Sequence, residues 1–381
     1  MILPPACLGV LGGGQLGRFF VAAAHEMGYR VWVMDPDAGS PAGKIADRHL
    51  QADYRDEAAL LQMAENCQAI TTEFENVPAS SLARLAARVQ VHPAAAAVAV
   101  CQNRIEEKAF FARHGIPHGE YAVILSAEDI RSLSAVLFPA ILKTATLGYD
   151  GKGQRVVTDP AEALAAFEAF HHQPCVLECR LPLECEISVI LARNAQGEVQ
   201  CYPPVENRHR YGILDVSIAP ARIAAGLLAQ AQTLAMEVAR ELDYVGTLAI
   251  EFFVSEGRLL ANEIAPRPHN SGHHTLDACR SSQYEQQVRA LAGLPLATAE
   301  QHSVAVMVNL LGDLWFRQHS TAAQEPDWRT LFDDPALALH MYTKQEARPG
   351  RKMGHFCVTG GKMDAVYQSA MSARARIGIQ D

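Results

Sequence analysis

Ile141-Leu142-Lys143-Thr144-Ala145-Thr146-Leu147-Gly148-Tyr149-Asp150-Gly151-Lys152-Gly153-Gln154 is the stretch whose reading decides the fold. Ile141 and Leu142 read as buried strand, and Lys143 leads into a turn. Gly148, Gly151 and Gly153 leave the loop little steric bulk, and Val156 and Val157 resume a strand. A strand, a glycine-rich loop and a returning strand form a flap whose backbone N–H groups can fold over phosphate oxygens. Lys143 stands at its base as a point charge for phosphate. Glycine suits the loop because a side chain would hold the backbone off the anion. The G-x-x-x-x-G-K-[ST] spacing of a P-loop is absent. A plain glycine-containing hairpin would read the same way locally, so the remainder of the chain has to decide.

The bulk composition is that of an ordinary soluble protein, with 49% hydrophobic and 20% charged residues over 381 positions, enough for two or three domains. A formal net charge of −9 argues against an extended nucleic-acid or anionic-membrane surface, but leaves room for a local basic pocket. Nine cysteines without a Cys-x-x-Cys pair fit scattered reduced thiols. Cys175, Cys179 and Cys185 read as small buried residues, not zinc ligands. Residues 1–6 carry no basic n-region and no apolar run is long enough for a bilayer, so a cytoplasmic location is expected.

Ahead of the flap, residues 6–17 run a short apolar strand into Gly12-x-Gly14-x-x-Gly17. A helix over Phe19–Met27, stopped by Gly28, and a strand over Tyr29–Met34 follow. Asp35 lies about 20 residues past the glycines, the form of a dinucleotide fingerprint. Asp56 is placed to cap a helix over Glu57–Glu65, with strands at Gln68–Thr72 and Val89–His92. This alternation implies a parallel sheet covered on both faces. It stops near Ala94–Asn103, where Asn103 and Glu106 form a candidate capping box for a helix ending at Gly115. Beyond the flap the pattern gives a helix from Asp159-Pro160, a strand Cys175–Glu178, and a hairpin from Glu184–Ala192 and Val199–Pro203. A long helix from Pro220 to about Leu242 and a hairpin of Thr247–Val254 with Leu259–Ile264 come next. A helix over Leu276–Ala292 and, from Ser303, short strands with one short helix near Asp327 complete the reading.

Two carboxylates stand out on the second hairpin. A turn centred on Gly257 places Glu251 and Glu263 opposite each other on one face; a turn centred half a residue earlier shifts the pair by one position. Like charges opposite each other on a sheet repel, so the pair needs a cation, a shared proton or an open edge. Hard oxygen ligands beside a phosphate site point to Mg²⁺, with Asn262 adding a neutral oxygen. Solvent-facing glutamates are the alternative, which the apolar neighbours Ile250, Phe252 and Ile264 disfavour. Pro266-Arg267-Pro268-His269-Asn270-Ser271-Gly272-His273-His274 follows; its prolines forbid a helix, so its histidines are not a helical zinc pair. Arg, His, Asn and Ser on one rigid loop suit a small oxyanion such as bicarbonate, though a polar surface loop looks the same in sequence.

Together these features resemble the ATP-grasp superfamily and, within it, the N5-carboxyaminoimidazole ribonucleotide synthetase family. The resemblance rests on residues 12–18, Thr-Glu-Phe-Glu-Asn-Val at 72–77, the flap at 148–154, Glu-Asn-Arg-His at 206–209, residues 262–273, and Pro-Gly-Arg-Lys-Met-Gly-His at 349–355. It implies a mixed α/β fold in three parts. These are a Rossmann-like parallel-sheet domain at 1–103, an ATP-grasp domain at 104–300 with a mobile flap subdomain near 117–180, and a small, mostly β region at 301–381. It also implies ATP-dependent carboxylation of 5-aminoimidazole ribonucleotide by bicarbonate, with ATP and Mg²⁺ but no NAD, biotin or zinc. No nucleic-acid or membrane partner is implied, and the family points to a homodimer.

By the same resemblance, Arg104 and Lys143 meet ATP phosphates under Gly148, Tyr149, Asp150, Gly151, Lys152, Gly153 and Gln154. Glu178, Cys179, Arg180 and Leu181 form the adenine strand, Glu186 binds the ribose, and His209 lies at an ATP-site position. Glu251 and Glu263 hold Mg²⁺ beside Asn262. Arg267, His269 and Lys143 are the candidate catalytic residues, the first two orienting bicarbonate and its anhydride. The ribonucleotide lies among Gln15, Leu16, Glu73, Tyr149, Asp150, Asn270, Ser271, Lys344, Arg351 and Lys352. Three other classes compete: a formate-dependent glycinamide ribonucleotide transformylase, an NAD-dependent oxidoreductase using Gly12–Gly17 and Asp35, and a non-catalytic nucleotide-binding module.

Overall fold

Strand β1 (Cys7–Leu11) is buried at every position, which requires cover on both faces of its sheet. The computed structural model describes residues 1–148, 152–316 and 322–379 and supplies that cover. Helix α1 (Gln15–Glu26) leads into β2 (Arg30–Met34) and β3 (Arg48–Leu50). Helix α2 (Glu57–Asn66), capped by Asp56, precedes β4 (Ala69–Thr72), α3 (Ala79–Ala86), β5 (Gln90–Val91) and α4 (Ala95–Cys101). The strands form a parallel sheet in the order β3-β2-β1-β4-β5. The expected helix over Phe19–Met27 begins four residues earlier, directly on the glycine turn, and the alternation does not stop at Ala94, because α4 continues it.

Helix α5 (Arg104–Arg113) is capped by Asn103, which accepts from the Ile105 N–H. This helix buries Glu107 and Lys108 along with Phe110 and Phe111, and leaves Glu106 exposed. Next come β6 (Tyr121–Ile124), α6 (Ala127–Arg131), β7 (Ala140–Thr144), β8 (Gln154–Val157), α7 (Pro160–Ala169) and β9 (Cys175–Cys179). Their four strands make an antiparallel sheet ordered β6-β9-β7-β8. The β7–β8 pair is the expected flap, joining Lys143 to Gln154 in register. Tyr149, Asp150 and Gly151 lie outside the described residues.

A long sheet carries the rest. Strands β10 (Leu183–Arg193), β11 (Val199–Cys201), β12 (Val205–Arg210) and β13 (Ile213–Ala219) precede helix α8 (Ala225–Glu241). The hairpin β14 (Gly246–Ser255) and β15 (Arg258–Ala265) follows, then α9 (Thr275–Ala278) and α10 (Gln283–Ala292). The helix expected over Leu276–Ala292 is therefore two, broken where Cys279 turns extended and Ser282 starts a new N-cap. Strands β16 (Val304–Leu311), β17 (Leu337–Met341) and β18 (Lys352–Gly360) join the sheet in the order β15-β14-β10-β12-β13-β16-β18-β17, with β11 on β10. The last region is thus an extension of the central sheet through β13–β16. Its helix α11 (Met363–Arg376) packs Val366, Ala370 and Ala373 onto β16 and β18, an element the sequence reading lacked.

The two faces of this sheet differ. Ile187, Val189, Leu191, Ile250, Phe252 and Val254 alternate onto the face covered by α8. Glu186, Ser188 and Glu251 fall on the other. Helix α10 ties the sheets together: Val288, Leu291 and Ala292 join the core of the parallel sheet, and Gln287 donates to Thr71 Oγ1 at 2.6 Å.

Candidate active site

The turn between β14 and β15 is centred half a residue earlier than Gly257, since Ser255 pairs with Arg258. Uncorrected, that register would put Glu251 opposite Asn262. A β-bulge intervenes between Glu251 and Phe252: Phe252 pairs with Ala261 but Glu251 with Glu263, leaving Asn262 as the extra residue. Asn262, Glu263 and Glu251 consequently line one cavity. Helix α5 pins the bulge, because Lys108 Nζ donates to Asn262 O at 2.9 Å and Glu107 Oε1 accepts from Ile264 N at 2.7 Å. Both side chains are buried, and burial raises the Glu107 carboxyl and lowers the Lys108 ammonium. Neither residue figured in the sequence reading; two adjacent charges on a helix are ordinarily solvated.

Charges line this first cavity in a graded way. Burial, and then the Glu263 carboxylate, raise Glu251 above the carboxylate range. Burial pushes Glu263 up too, but Arg104 and Lys143 outweigh it and hold it low; Arg104 Nη1 donates to Glu263 Oε2 at 3.1 Å. Lys143 Nζ lies 3.0 Å and Lys108 Nζ 3.5 Å from Glu178 Oε2. Burial opposes ionisation of Glu178, but these two ammonium groups win and bring it to about 2. At the other end, His209 Nδ1 is 3.0 Å from Glu186 Oε2, and Glu186, His209 and Glu251 face one another closely enough to share a cation. Burial lowers the His209 imidazole, but the Glu186 and Glu251 carboxylates outweigh it and raise it overall.

The Pro266–His274 segment is not a surface loop. Residues 270–274 form a buried 3-10 turn, clamped by Gln283, whose side chain accepts from His269 N and donates to His269 O. A Cβ at Gly272 would lie 2.5 Å from Gln283 Oε1, so only glycine lets the clamp close. Arg267 Nη2 lies 2.5 Å from Glu75 Oε2. His269 Nε2 is 3.4 Å from Glu251 Oε1, and burial followed by the Arg267 charge keeps its ring neutral. Ser271 is fully buried beneath the cavity and reaches it through His269 Nδ1, 2.8 Å from its Oγ.

A second cavity, of about 640 Å³, opens between the parallel sheet and β18. Gln15, Leu16, Glu73, Asn270, Lys344, Arg351 and Lys352 line it, together with Arg348. Glu75, Asn76, Lys152, Arg267, Asn270 and Lys352 line both cavities, so the two share one wall. The first glycine turn faces the second cavity with its N–H groups already engaged: Gly13 N donates to Asp35 Oδ2 at 2.6 Å and Gly14 N to Glu73 Oε1 at 2.7 Å. Asp35 also accepts from Tyr54 and the Asp37 N–H, which removes the free acid that a dinucleotide ribose would need.

Three family profiles together match most of the chain. The ATP-grasp domain covers residues 109–284, the ribonucleotide synthetase preATP-grasp domain 6–102, and the phosphoribosylaminoimidazole carboxylase C-terminal domain 305–369. The N5-carboxyaminoimidazole ribonucleotide synthase of Bacillus subtilis (strain 168) is 40% identical over 361 residues, 93% of this chain and 92% of that protein. The chain belongs to the N5-carboxyaminoimidazole ribonucleotide synthase family of ATP-grasp enzymes. The Brucella melitensis synthase is 43% identical over 356 residues, covering 92% of this chain and 96% of its own. Among solved structures, the ADP complex of an N5-carboxyaminoimidazole ribonucleotide synthetase superposes with a TM-score of 0.91 at 38% identity over 98% of this chain and 97% of that one. The Aspergillus clavatus synthase in complex with ADP and 5-aminoimidazole ribonucleotide gives 0.87 at 29% identity, covering 98% of each chain.

Within this synthase-family fold, Arg104, Lys143, Gly148, Lys152, Gln154, Glu186, His209, Glu251, Asn262, Glu263, Arg267, His269 and Asn270 all line the first cavity. Glu178 lies behind Lys143, and Cys179, Arg180 and Leu181 stand off that wall, where Ile141, Leu183 and Phe253 supply apolar surface instead. Cys179 and Cys185 are half-buried, not buried. Glu75 was legible in the 72–77 motif but carried no role there. For Mg²⁺ the donor set fits: two facing carboxylates stand beside Asn262 Oδ1, which is buried and accepts no hydrogen bond from the described residues. No helix among the described residues is long and apolar enough to cross a membrane.

Proposed function

We infer that this protein carries out its family's reaction: ATP, bicarbonate and 5-aminoimidazole ribonucleotide give N5-carboxyaminoimidazole ribonucleotide, ADP and phosphate. The observation that carries it is the shared wall. Arg267 lines both a cleft that holds Arg104 and Lys143 and a second cavity that Lys344, Arg351 and Lys352 also line. The formate-dependent and nicotinamide readings lack that support.

Bicarbonate is a poor electrophile, so its oxygen first attacks the γ-phosphorus, ADP departs, and carboxyphosphate forms. Arg104 and Lys143 take the triphosphate charge, with the flap from Gly148 to Gln154 closing above it. Glu251 and Glu263, with Asn262, would hold Mg²⁺, which neutralises phosphate charge when bound. Leu183, Phe253 and Ile141 offer the base an apolar slot, with backbone contacts from the Glu178–Leu181 strand, and Glu186 meets the ribose. Arg267 and the His269 Nε2–H orient bicarbonate and then the anhydride. The exocyclic amine of the ribonucleotide, held by Gln15, Leu16, Glu73, Asn270 and the flap residues Tyr149 and Asp150, captures the carboxyl carbon, or CO₂ released from it. Phosphate leaves and the amine sheds a proton. Lys344, Arg351 and Lys352 grip the 5′-phosphate. Ser271 acts from below through His269. Enclosure keeps water from the anhydride. The same reading takes the protein as a cytoplasmic homodimer.

ADP release is the test, with bicarbonate and aminoimidazole ribonucleotide omitted in turn and formate plus glycinamide ribonucleotide as control. Release that requires both family substrates is expected. Release that follows formate and glycinamide ribonucleotide instead would overturn the assignment.

A further inference from the structure

Beneath His269 runs a chain of four buried side chains that leads away from the cavity across one face of the central sheet. Ser271 Oγ is 2.8 Å from His269 Nδ1, and Ser188 Oγ is 2.6 Å from Ser271 Oγ. Asn207 Nδ2 is 3.0 Å from Ser188 Oγ, and Ser217 Oγ is 3.0 Å from Asn207 Oδ1. None of the four is more than 5% exposed. Ladder pairing explains their alignment, since Ser188 stands opposite Glu251 and Asn207 opposite Ser217.

Hydroxyls rotate and an amide can be turned over, so the direction of such a chain is open until one end is fixed. Here a backbone group fixes it. Ser271 N–H points at His269 Nδ1, at 3.4 Å, and a backbone N–H can only donate. Nδ1 therefore presents a lone pair, and a neutral ring carries its proton on Nε2. Each further link is then forced. Ser271 O–H is spent on Nδ1, so Ser271 accepts from Ser188. Ser188 in turn accepts from the Asn207 amide, and Asn207 Oδ1 accepts from Ser217. At the far side of the ring, Nε2 faces the Glu251 carboxyl, an acceptor when ionised.

We propose that the Ser271 backbone N–H and hydroxyl hold His269 as the Nε2–H tautomer, and that Ser188, Asn207 and Ser217 are positioning residues whose hydrogen bonds run in the same sense, so that the ring offers a donor to the cavity. The kinetic arm of this proposal rests on the role given to His269 in the proposed reaction; the tautomer itself does not. A ring with the proton on Nδ1 would turn a lone pair toward Glu251 and toward a bound oxyanion, where it repels instead of orienting. The near-isosteric Asn207→Asp inverts the chain: a carboxylate accepts from both serines, Ser188 must accept from Ser271, and Ser271 must accept from Nδ1–H.

The test is imidazole nitrogen-15 NMR of the whole protein, with the His269 signals assigned as those lost in His269→Gln. The parent is expected to show an unprotonated Nδ1 and a protonated Nε2. Asn207→Asp is expected to move the proton to Nδ1 and to lower kcat about 10²-fold while the KM for ATP changes by less than about twofold. Ser188→Ala, which cuts the chain without adding charge, leaves Ser271 O–H donating to Nδ1; it should keep the parent tautomer and lose less than about tenfold in kcat. A parent spectrum with the proton on Nδ1 overturns the proposal, and it needs no variant to fold. So does an Asn207→Asp protein that retains Nε2–H. A parent with Nε2–H that releases no ADP with the family substrates supports the lock while counting against the proposed reaction.

Discussion

The cavity beside the flap and the cavity beside β18 meet at Arg267 but are built from different material. In the first, Lys143, Glu186, His209, Glu251 and Glu263 stand on strands and Arg104 starts α5, and the pairs Arg104 with Glu263, Lys143 with Glu178 and His209 with Glu186 match charge to charge. Their positions follow from ladder register and one bulge. In the second, Gln15 and Leu16 start a helix on a glycine turn, while Lys344, Arg348 and Arg351 ride on the connection between β17 and β18. The strand-built cavity can hold a fixed charge pattern for phosphoryl transfer. The loop-built one can be changed a residue at a time without disturbing the other. Residues confined to one cavity should therefore act on one substrate, and residues of the shared wall on turnover.

The largest effect is expected at the shared wall. Arg267→Ala should lower kcat about 10³-fold whichever substrate is varied, because its donors serve the reacting groups and not one binding site. A variant that raised only one KM would return Arg267 to a single cavity. Glu251→Gln comes next, with a loss in kcat of about 10²-fold from the missing ligand charge. Without metal it should stabilise the fold. Burial and Glu263 lift the Glu251 carboxyl above its unfolded value of 4.5, so ionising it costs the folded state stability, progressively as pH rises. In EDTA the melting advantage of the glutamine should widen between about pH 5 and pH 8; a gap that narrows with pH would contradict this. Lys344→Ala should raise the ribonucleotide KM by about 10- to 150-fold, a charge-assisted bond of roughly 1.5–3 kcal/mol, and leave the ATP KM alone. Lys344 Nζ is anchored on Lys352 O at 2.7 Å, which aims it at this cavity. Arg348→Ala, in the same cavity but paired with exposed Glu346, should change that KM by less than about threefold, as expected for a solvated ion pair.

The same contrast governs what the sequence could reveal. The parallel sheet, the flap strands and the hairpin were legible because apolar period and glycine punctuation act locally. The facing of Glu251 and Glu263 was read correctly, but through a turn centred on Gly257 that the chain does not make. The bulge at Asn262 restores the pair, and it depends on Glu107 and Lys108, distant in sequence. Helix α10 was merged with α9 because residues 276–292 keep a helical pattern through Cys279, where tertiary packing and the Ser282 cap override it. The loop at 266–274 was read as suiting a small oxyanion, with a polar surface loop as the alternative, and Ser271 was placed on the ribonucleotide; the structure buries Ser271 behind His269. Ser271 meets Ser188, distant in sequence, and Ser188 in turn meets Asn207 on the neighbouring strand. Alternation in β10 and β12 gives each of these a face but no partner, so the relay had no local signal.

The central claim is that bicarbonate is activated in the strand-built cavity and handed across Arg267 to the amine in the other. Turnover with bicarbonate labelled by oxygen-18 tests it directly, by mass analysis of the phosphate released. The account predicts that each phosphate formed alongside the carboxylated ribonucleotide carries one oxygen from bicarbonate. Phosphate whose new oxygen comes from water instead would mean that ATP is hydrolysed separately from the carboxylation, and the shared wall would lose its role.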